Sequence, residues 1–568
     1  LGIFRPQGAI LWTKAAKQMA QTFNTETRLA ERIRKEDPDL FVTWYFPNTY
    51  EIGMSGLGYQ LVWWLLEQDP ALIVRRGFTD AEEPWQGLCD LLGFTVSWEL
   101  DFINIISLLR KNDVSLTAKA RLEESRERES RKDPPLPLVF GGGPVLTANP
   151  EPFHELFDVI LLGDAETSVP SLVEAYRNIK KEVGGDREQM LYLLSQVPGL
   201  YVPSQYTVEY SGQDNAPIKS ISPIRAGVPP VVQRQNFAPP SEYATHTQIL
   251  SSATTWSERF LIEVVRSCPQ ECRFCLASYL TRPFRATPVD TLMTKIEEAL
   301  KHTSRIGLLG PSVTEHPLFD ELAKRLAHRS DIDISIASVR ADSLNENILA
   351  TLKALGQKTL TIAIESGSER LRTVMKKNLS EAEIFQAVEL IYQAGFEGIK
   401  FYGIAGLPHE RQEDLEQTVA LMQRLKKKYR SLRFVFGVSS FVPKAQTPFQ
   451  WHGRDRQSGK KLEYLRKNLA RLGIEVRPES HNWSDIQALI SRGDRRLAPV
   501  LESVSGLGEN LGAWKKALRN LPTGVPNLDY YAFREIPLEE VLPWQHLSDE
   551  TKSAYLKKHK SEAALAGA

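Results

Sequence analysis

The sequence is poor in cysteine, with four thiols in 568 residues. That number is too small for a disulfide framework and indicates a reducing compartment, so we predict a cytoplasmic protein. Charge of one sign is not in excess either, because Lys plus Arg and Asp plus Glu both number 70. The chain as a whole therefore shows no bias toward nucleic acid or an anionic membrane, although a local basic patch would not appear in this sum.

Long apolar runs and a secretory leader are also missing from the sequence. No stretch is long enough to span a bilayer, so no membrane partner is expected, and the first 40 residues lack a signal-peptide pattern. The chain begins at Leu1 rather than Met, which leaves its natural start open. With 42% apolar and 25% charged residues, the composition is that of a globular protein, and 568 residues predict two to four domains.

What the sequence does contain is an alternation of strand and helix patterns, first over residues 40–202. Five strand patterns occur there, from "LFVTWYF" (40–46) through "FTVSW" (94–98) to "FDVILLG" (157–163). Strands that alternate with helices predict parallel βαβ units and an α/β, doubly wound sheet, in which ligands bind beyond the carboxyl ends of the strands. Three glycines, Gly141, Gly142 and Gly143, follow the fourth strand; they form either a tight turn or a close approach to a bound group.

A second and more regular alternation covers residues 257–451. Six βα units in this span predict a partial, TIM-like (β/α)6 barrel, which would carry its chemistry on the loops at the carboxyl ends of the strands. The flanking segments are assigned by composition. We predict an N-terminal arm (1–39), a Pro- and Ser-rich linker or wrapping segment (203–256) and a charged, mostly helical C-terminal extension (452–568).

Three of the four cysteines, Cys268, Cys272 and Cys275, follow the first barrel strand in a C-x3-C-x2-C pattern. A disulfide would leave one thiol over, and zinc needs four ligands, usually in two spaced pairs. The remaining cysteine, Cys89, lies in the other domain, where we expect a buried, small apolar residue. An iron–sulfur cubane usually takes four cysteines, so three would leave one iron open to a small molecule.

The cysteine loop resembles the signature of the radical S-adenosylmethionine (SAM) superfamily. The resemblance implies a 4Fe–4S cluster on the three thiolates, with SAM as the ligand of the open iron. It also implies reductive cleavage of SAM to methionine and a 5′-deoxyadenosyl radical, with the electron supplied by a donor protein of the flavodoxin or ferredoxin type.

Further stretches resemble the radical SAM core of the Elp3/MiaB/NifB type. In "TIAIESGSERLRTVMKKNLS" (361–380) the resemblance makes Glu365 a contact of the SAM ribose or amino-acid part. In "SVRAD" it makes Arg340 a partner of the SAM carboxylate, and in "GIAGLPHE" it places Gly403 and Gly406 near the adenine.

One segment departs from the family pattern. Where many members have Gly-Gly-Glu after the second strand, this chain reads "LLGPSVTEHP" (308–317). Gly310 and Ser312 are the candidate substitutes for the backbone that holds the SAM amino group.

Across about residues 40–500 the chain resembles an uncharacterised branch of radical SAM proteins with an N-terminal, flavodoxin-like, cobalamin-binding domain. The stretches that carry this resemblance include "YFPNTYEIGMSGLGYQ" and "GGGPVLTANPEPF". It implies that Gly141, Gly142 and Gly143 approach the tail of a cobalamin. The usual Asp-x-His-x-x-Gly motif is missing, since no His follows the first strand. Cobalamin would therefore bind without a protein ligand below cobalt, or the domain has lost it.

We therefore predict an enzyme that performs reductive SAM cleavage or cobalamin-dependent methyl transfer on an unknown substrate. The first alternative is a cobalamin-free radical SAM enzyme that modifies RNA or protein. Its RNA-binding surface would be Arg492, Arg495 and Arg496 with the Lys-rich stretch at 551–560, which could contact phosphates. A methylthiotransferase is a weaker alternative, because those enzymes carry three further cysteines in the N-terminal domain. A non-catalytic iron–sulfur scaffold or redox sensor is the remaining alternative.

Overall fold

A computed structural model describes residues 23–567, apart from residues 32, 85, 86, 88, 328, 330, 337 and 549. Most of the predicted N-terminal arm lies outside the described residues. No helix in the described part of the chain is long and apolar enough to cross a membrane.

The N-terminal unit is a six-stranded sheet with helices on both faces. Its elements in chain order are β1 (Glu26–Arg28), β2 (Leu40–Tyr45), α1 (Tyr50–Met54), α2 (Leu57–Glu67), β3 (Leu72–Gly77), β4 (Leu91–Thr95), α3 (Phe102–Lys111), α4 (Ala118–Arg131), β5 (Leu138–Gly142), α5 (Pro144–Ala148), β6 (Val159–Leu161), α6 (Ala165–Val183), α7 (Arg187–Leu194) and β7 (Leu200–Tyr201). The strand order is β3-β2-β4-β5-β6-β7, with β7 alone antiparallel to its neighbour. The carboxyl ends of β2 to β6 therefore meet at one edge of the sheet.

Strand β4 begins and ends three residues before the predicted "FTVSW". All five of its residues, Leu91–Thr95, are buried. A parallel strand covered on both faces shows a continuous apolar run instead of an alternation, so the sequence pattern does not mark where it starts.

The segment predicted as a linker is ordered and wraps the two halves of the molecule together. It contains β8 (Tyr206–Tyr210), β9 (Ile218–Pro223) and β10 (Ile249–Ser251). Strands β8 and β9 form an antiparallel pair, and β10 pairs with β1.

The central unit combines a curved parallel sheet in two parts with a separate two-stranded antiparallel pair. Its strands are β11 (Phe260–Glu263), β12 (Val265–Arg266), β13 (Arg285–Ala286), β14 (Arg305–Leu309), β15 (Asp333–Ile336), β16 (Thr359–Glu365), β17 (Gly398–Ala405), β18 (Arg433–Ser440) and β19 (Glu475–Pro478). Its helices are α8 (Leu276–Leu280), α9 (Val289–Ala299), α10 (Phe319–Ala327), α11 (Glu346–Ala354), α12 (Glu369–Val374), α13 (Glu381–Gln393), α14 (Gln412–Lys428) and α15 (Ser458–Arg471). The parallel orders are β11-β14-β15 and β16-β17-β18-β19, and a parallel bridge between Val339 and Ile362 joins them.

The region after residue 451 is not a separate helical extension. Strand β19 lies in it and pairs in parallel with β18, so the barrel sheet continues beyond its predicted end. The helices that follow are α16 (His481–Arg492), α17 (Ala498–Leu507), α18 (Leu511–Arg519) and α19 (Glu550–Gly567). Apolar side chains of α16 to α18 share one buried cluster with the N-terminal sheet and α3. The extension therefore ties the two α/β units together.

Candidate functional site

The three clustered cysteines occupy one tight loop between β12 and α8, at the carboxyl ends of the barrel strands. Ser267 and Glu271 have positive φ angles of 70° and 54°, which turn the chain sharply on either side of Cys268. The backbone N–H of Cys275 donates to the carbonyl of Cys272 over 2.9 Å. The loop thus brings the three thiols onto one short, closed segment.

The environment of these thiols is dry. Burial raises the pKa of Cys272 to about 12, and the nearby ammonium of Lys377 works against that rise. Burial also raises the pKa of Cys275, while the backbone N–H groups of Ala277 and Ser278 lower it. Free thiols in such a place are poor nucleophiles, which favours a role as ligands whose charge a metal offsets.

The donor set fits a cluster better than a single ion. Within the described residues, no three His, Cys, Asp or Glu side chains converge on a point where one metal ion could be held. A cubane instead takes each thiolate at a separate iron. Three thiols on one loop, of which Cys272 is buried and Cys268 and Cys275 are half-buried, are compatible with that arrangement.

The residues between the cysteines anchor the loop to the rest of the protein. Arg273 is 5% exposed and donates to the carbonyls of Thr373 (3.2 Å) and Val374 (2.7 Å), at the end of α12. Phe274 packs against a buried apolar cluster of its own. The motif residues other than cysteine thus position the loop and cover it on one side.

Helix α19, nearly 300 residues further along the chain, closes the other side of the loop. Glu562 accepts a hydrogen bond from Arg273 over 2.9 Å, and the hydroxyl of Tyr555 donates to Glu271. Glu271 also accepts from Lys376 over 2.6 Å and pairs with Arg282 at 2.9 Å. The "TKSAYLKKHK" stretch thus lies in a helix that contacts the cluster loop.

Glu365 ends β16 at a bulge, with a positive φ of 62°. A non-glycine residue in this conformation is strained, and such strain is found where a site requires a particular side-chain direction. Its carboxylate is buried, and the partner is Lys377, with Nζ 3.4 Å from Oε1. Burial raises the pKa of Glu365, and the Glu365 carboxylate raises the pKa of Lys377.

Lys377 is the candidate site residue that sequence reasoning missed. It is 8% exposed. The nearby Cys272 raises the pKa of Lys377, and the nearby Arg340 lowers it. The signal was present in the sequence, since Lys377 belongs to the quoted family segment that contains Glu365. A buried cation beside a cluster loop is rare enough to count as a candidate ligand group.

Arg340 follows β15 and is 8% exposed. It pairs with Asp342 (2.6 Å) and Glu315 (3.2 Å) and donates to the carbonyl of Asn378. Electrostatic influence on Cys272 places it at the same edge of the barrel. Two carboxylates neutralise Arg340, whereas Lys377 has, among the described residues, the single carboxylate partner Glu365. Lys377 is therefore the cation with more capacity to bind a further anion.

The segment after β14 presents polar atoms that lack partners. The hydroxyls of Ser312 and Thr314 are buried and accept or donate no hydrogen bond within the described structure. Gln270 of the cluster loop donates to Glu315 in the same segment over 3.0 Å. A Cβ at Gly310 would come within 2.8 Å of the carbonyl oxygen of Val265, so glycine is needed where this segment crosses β12. Unsatisfied buried hydroxyls beside the cluster loop are suited to a polar ligand.

Gly403 and Gly406 differ in what surrounds them. A Cβ at Gly403 would meet Phe436 at 2.7 Å and the carbonyl of Glu365 at 3.2 Å, so glycine here lets β16 and β17 approach. The backbone N–H of Gly406 donates to Glu410 over 2.7 Å, and α15 covers it. Packing alone therefore accounts for glycine at both positions, and the predicted adenine contacts stay predictions.

The N-terminal sheet has a cavity of about 300 Å³ at its own carboxyl edge, between α2 and α6. Gly142 and Gly143 line it, with mostly apolar neighbours such as Leu61 and Val169. A Cβ at Gly142 would meet nothing closer than Leu161 at 3.6 Å, whereas one at Gly141 or Gly143 would overlap packed atoms. Gly142 therefore borders open space, as a close approach to a ligand would require.

Ion pairs connect this cavity to the cluster loop. Arg266, two residues before Cys268, lines the cavity and pairs with Glu166 at 2.7 Å and Asp164 at 3.3 Å. Arg285 of β13 also pairs with Asp164, at 2.5 Å. The two α/β units thus meet with their carboxyl edges joined.

The arginines predicted to bind phosphate have partners within the protein. Arg492 is 2% exposed and donates to backbone carbonyls. Arg495 pairs with buried Glu151 at 2.7 Å, and Arg496 pairs with Asp494 at 2.7 Å. The fold gives the predicted phosphate contacts no support at these three side chains, because a guanidinium with several donors can join distant segments as readily as it binds phosphate.

Cys89 lies away from the cluster loop. It is half-buried in the N-terminal unit, where its thiol donates to the carbonyl of Leu91 over 3.1 Å. Burial raises its pKa. This agrees with a structural thiol.

Family comparisons agree with the geometry of the barrel edge. Residues 262–422 match the profile described as "Radical SAM superfamily", and residues 58–203 match "Radical SAM proteins, N-terminal". Residues 262–422 are therefore a radical SAM domain, and the protein is an enzyme of that class. Membership implies a 4Fe–4S cluster and SAM as cofactors.

Individual relatives are similar at lower levels. An uncharacterized protein of Methanocaldococcus jannaschii is 29% identical over 83% of this chain and 93% of its own length. A tRNA-2-methylthio-N(6)-dimethylallyladenosine synthase of Aeromonas salmonicida is 24% identical over 42% of this chain, a match that spans about half, 52%, of that synthase.

Solved structures give weaker matches. The radical SAM methyltransferase TsrM from Kitasatospora setae, with cobalamin and a 4Fe–4S cluster bound, has a TM-score of 0.43 and 14% identity over 70% of this chain and 72% of its own. The cobalamin-dependent radical SAM enzyme OxsB has a TM-score of 0.43 and 16% identity over 70% of this chain and 53% of its own.

Proposed function

We propose that the enzyme holds a 4Fe–4S cluster on Cys268, Cys272 and Cys275, binds SAM against the adjoining ends of β14 to β17, and cleaves SAM reductively. One observation carries the proposal: the buried thiol of Cys272 lies beside the buried pair of Lys377 and Glu365. This places a cation and an anion where the amino-acid part of SAM also has one of each.

The protein groups have distinct tasks. Lys377 would bind the SAM carboxylate, with Arg340 behind it, and Glu365 would accept hydrogen bonds from the ammonium or the ribose hydroxyls. Ser312 and Thr314 would satisfy their free hydroxyls on the same ligand. The apolar cluster around Phe274 would exclude water from the site. When bound, the reduced cluster supplies the electron that breaks a carbon–sulfur bond of SAM, and a flavodoxin- or ferredoxin-type protein would supply that electron in turn.

The cavity at Gly142 favours a second candidate, cobalamin-dependent methyl transfer. Three features support this candidate: the flavodoxin-like strand order, the open space at Gly142 and the mostly apolar walls of the cavity. The cavity volume of about 300 Å³ lies at the lower end of small-molecule sites, so the cavity would hold the tail of the cofactor and not the corrin ring. A macromolecular substrate, RNA or protein, stays a prediction. The three arginines proposed to bind it already have hydrogen-bond or ion-pair partners within the protein.

Mass spectrometry of SAM-derived products tests the proposal. Protein reconstituted anaerobically, with SAM and a chemical reductant, is expected to release 5′-deoxyadenosine. S-adenosylhomocysteine with a methylated product would instead favour the cobalamin route. Neither product from a preparation with a full cluster would contradict both.

Cobalamin binding has its own test. Wild-type protein incubated with hydroxocobalamin and desalted should keep close to one equivalent of corrin, and Gly142→Leu should lose it. Gly506→Leu is the control, since a Cβ there meets nothing within 4 Å and the glycine lies in α17, outside the cavity. Wild-type protein that keeps no corrin would leave reductive cleavage without cobalamin.

A further inference from the structure

A second concavity, the tryptophan groove, lies at the carboxyl edge of the N-terminal sheet. It follows β2 and β4, adjacent strands from which the chain proceeds to opposite sides of the sheet. This switch point is where open α/β sheets bind ligands. The groove has a volume of about 560 Å³, and Phe46, Trp98 and Trp483 form walls of it.

The groove exposes large apolar side chains close together. Trp98 is 51% exposed and Ile52 is 48% exposed. At the base, Trp514 is fully buried, and its indole N–H has no hydrogen-bond partner within the described residues. Clustered apolar exposure around an unsatisfied donor indicates a binding surface.

The charged groups that line the groove, among the described residues, are two carboxylates, Asp101 and Glu509. Asp101 is 8% exposed and occupies the N-cap position of α3, yet accepts no capping hydrogen bond. Its carboxylate accepts a bond from the Asn48 amide over 3.1 Å, and no ion pair to it is found in the described chain. Its neighbour Glu99, by contrast, pairs with Lys444.

The aromatic walls and the carboxylate of Asp101 together select for positive charge. Aromatic faces attract cations, and a buried carboxylate without a cation costs stability until one arrives. We propose that the tryptophan groove binds a small organic ammonium compound with an apolar body. The ligand would lie beside the barrel mouth, because Lys444, which follows β18, pairs with Glu99 in the turn that precedes α3.

The inference goes beyond the proposed function and does not depend on it, since ammonium binding requires neither cluster nor SAM. Its failure is therefore distinguishable from a failure of SAM cleavage. The ligand would be a candidate substrate, held at the edge that the two α/β units share.

Calorimetry on the full chain tests it with choline and with 3,3-dimethylbutanol, the uncharged compound of the same shape. Choline should bind at least tenfold more tightly than the alcohol. Asp101→Asn and Trp98→Leu should each weaken choline binding at least tenfold. Glu502→Gln, an exposed carboxylate on α17 outside the groove, should leave it unchanged.

Three results would overturn the inference: equal affinity for the two compounds, no binding of either by folded wild-type protein, or a dimer in sedimentation that Trp98→Leu dissociates. Circular dichroism of each variant excludes misfolding as the cause of lost binding. Quenching of indole fluorescence by choline in wild type, reduced in Trp98→Leu, should locate the bound cation.

Discussion

The two α/β units of this protein present opposite chemistry at their carboxyl edges. The barrel edge carries three thiols and a buried ion pair, and nearly every charge there has a partner of opposite sign. The edge of the N-terminal sheet carries an apolar cavity lined by glycine and a groove with the exposed Trp98 and with Asp101, for which the described residues provide no ion pair. One edge is equipped for a charged cofactor, the other for apolar or cationic groups.

This difference suggests a division of labour. Paired charges around a dry loop orient a polar cofactor and stabilise a metal centre. Large apolar walls with one or two polar groups are typical of sites for small organic molecules. The helices after residue 480 hold the two edges together through a buried apolar cluster, which contains neither the three clustered cysteines nor Asp101. A substitution of one of those residues that disables the site at one edge should therefore leave the other edge folded and functional.

Removal of the three thiols should abolish cluster binding at the barrel edge, the largest effect expected. Cys268→Ala, Cys272→Ala and Cys275→Ala in one chain should abolish iron, sulfide and brown colour after reconstitution, because the other thiol of the chain lies outside the loop. Iron analysis and EPR measure this. Cys89→Ala is the matched control and should keep the cluster. Cubane iron in the triple variant would contradict the assignment.

Loss of the buried pair should weaken SAM binding next. Glu365→Ala or Lys377→Met is expected to cost about 1–3 kcal/mol, a loss of roughly 5- to 150-fold in affinity, the range for a hydrogen bond to a charged group. Arg340→Met should cost less, because Glu315 and Asp342 already neutralise that side chain.

Calorimetry on reconstituted protein measures these affinities. The double variant Glu365→Gln with Lys377→Met leaves no unpaired buried charge, so it separates lost binding from lost folding. Unchanged affinity in all variants would remove these residues from the site.

Release of α19 from the cluster loop should have a smaller effect. Tyr555→Phe with Glu562→Gln removes two contacts to the loop, so the cluster should be lost in air several-fold faster while the melting temperature changes little. Absorbance of the cluster over time measures this. Lys558→Gln, an exposed position on the same helix, is the control. Equal decay in both variants would show that α19 only covers the loop.

The smallest effect concerns stability at the other edge. Burial raises the pKa of Asp101 from 3.8 to about 6, so the native state loses stability as the pH rises through that window. Two pKa units correspond to at most about 3 kcal/mol.

Asp101→Asn should therefore raise the melting temperature at pH 7 and leave it nearly unchanged at pH 4. Thermal unfolding at the two pH values measures the difference. An equal change at both would show that the carboxylate is not strained by burial.

Sequence alone determined the chemistry that depends on short spacing. The cysteine pattern lies within eight residues, and the alternation of strands and helices sets where the loop falls, because parallel strands place their carboxyl ends at one edge. Glu365 was proposed instead from the resemblance of its segment to a family, and its role as a SAM contact stays a prediction.

Only the tertiary structure decided which side chains meet across long separations. Tyr555 contacts Glu271, 284 residues before it, and Arg495 reaches Glu151, 344 residues away. A charge has the same sequence signature whether it faces water or a buried partner, and burial depends on elements distant in the chain. For this reason the basic residues after 452 were predicted to form a binding surface. In the folded protein Arg492, Arg495 and Arg496 instead pair with other parts of the chain, and α19, which contains the Lys-rich stretch, contacts the cluster loop.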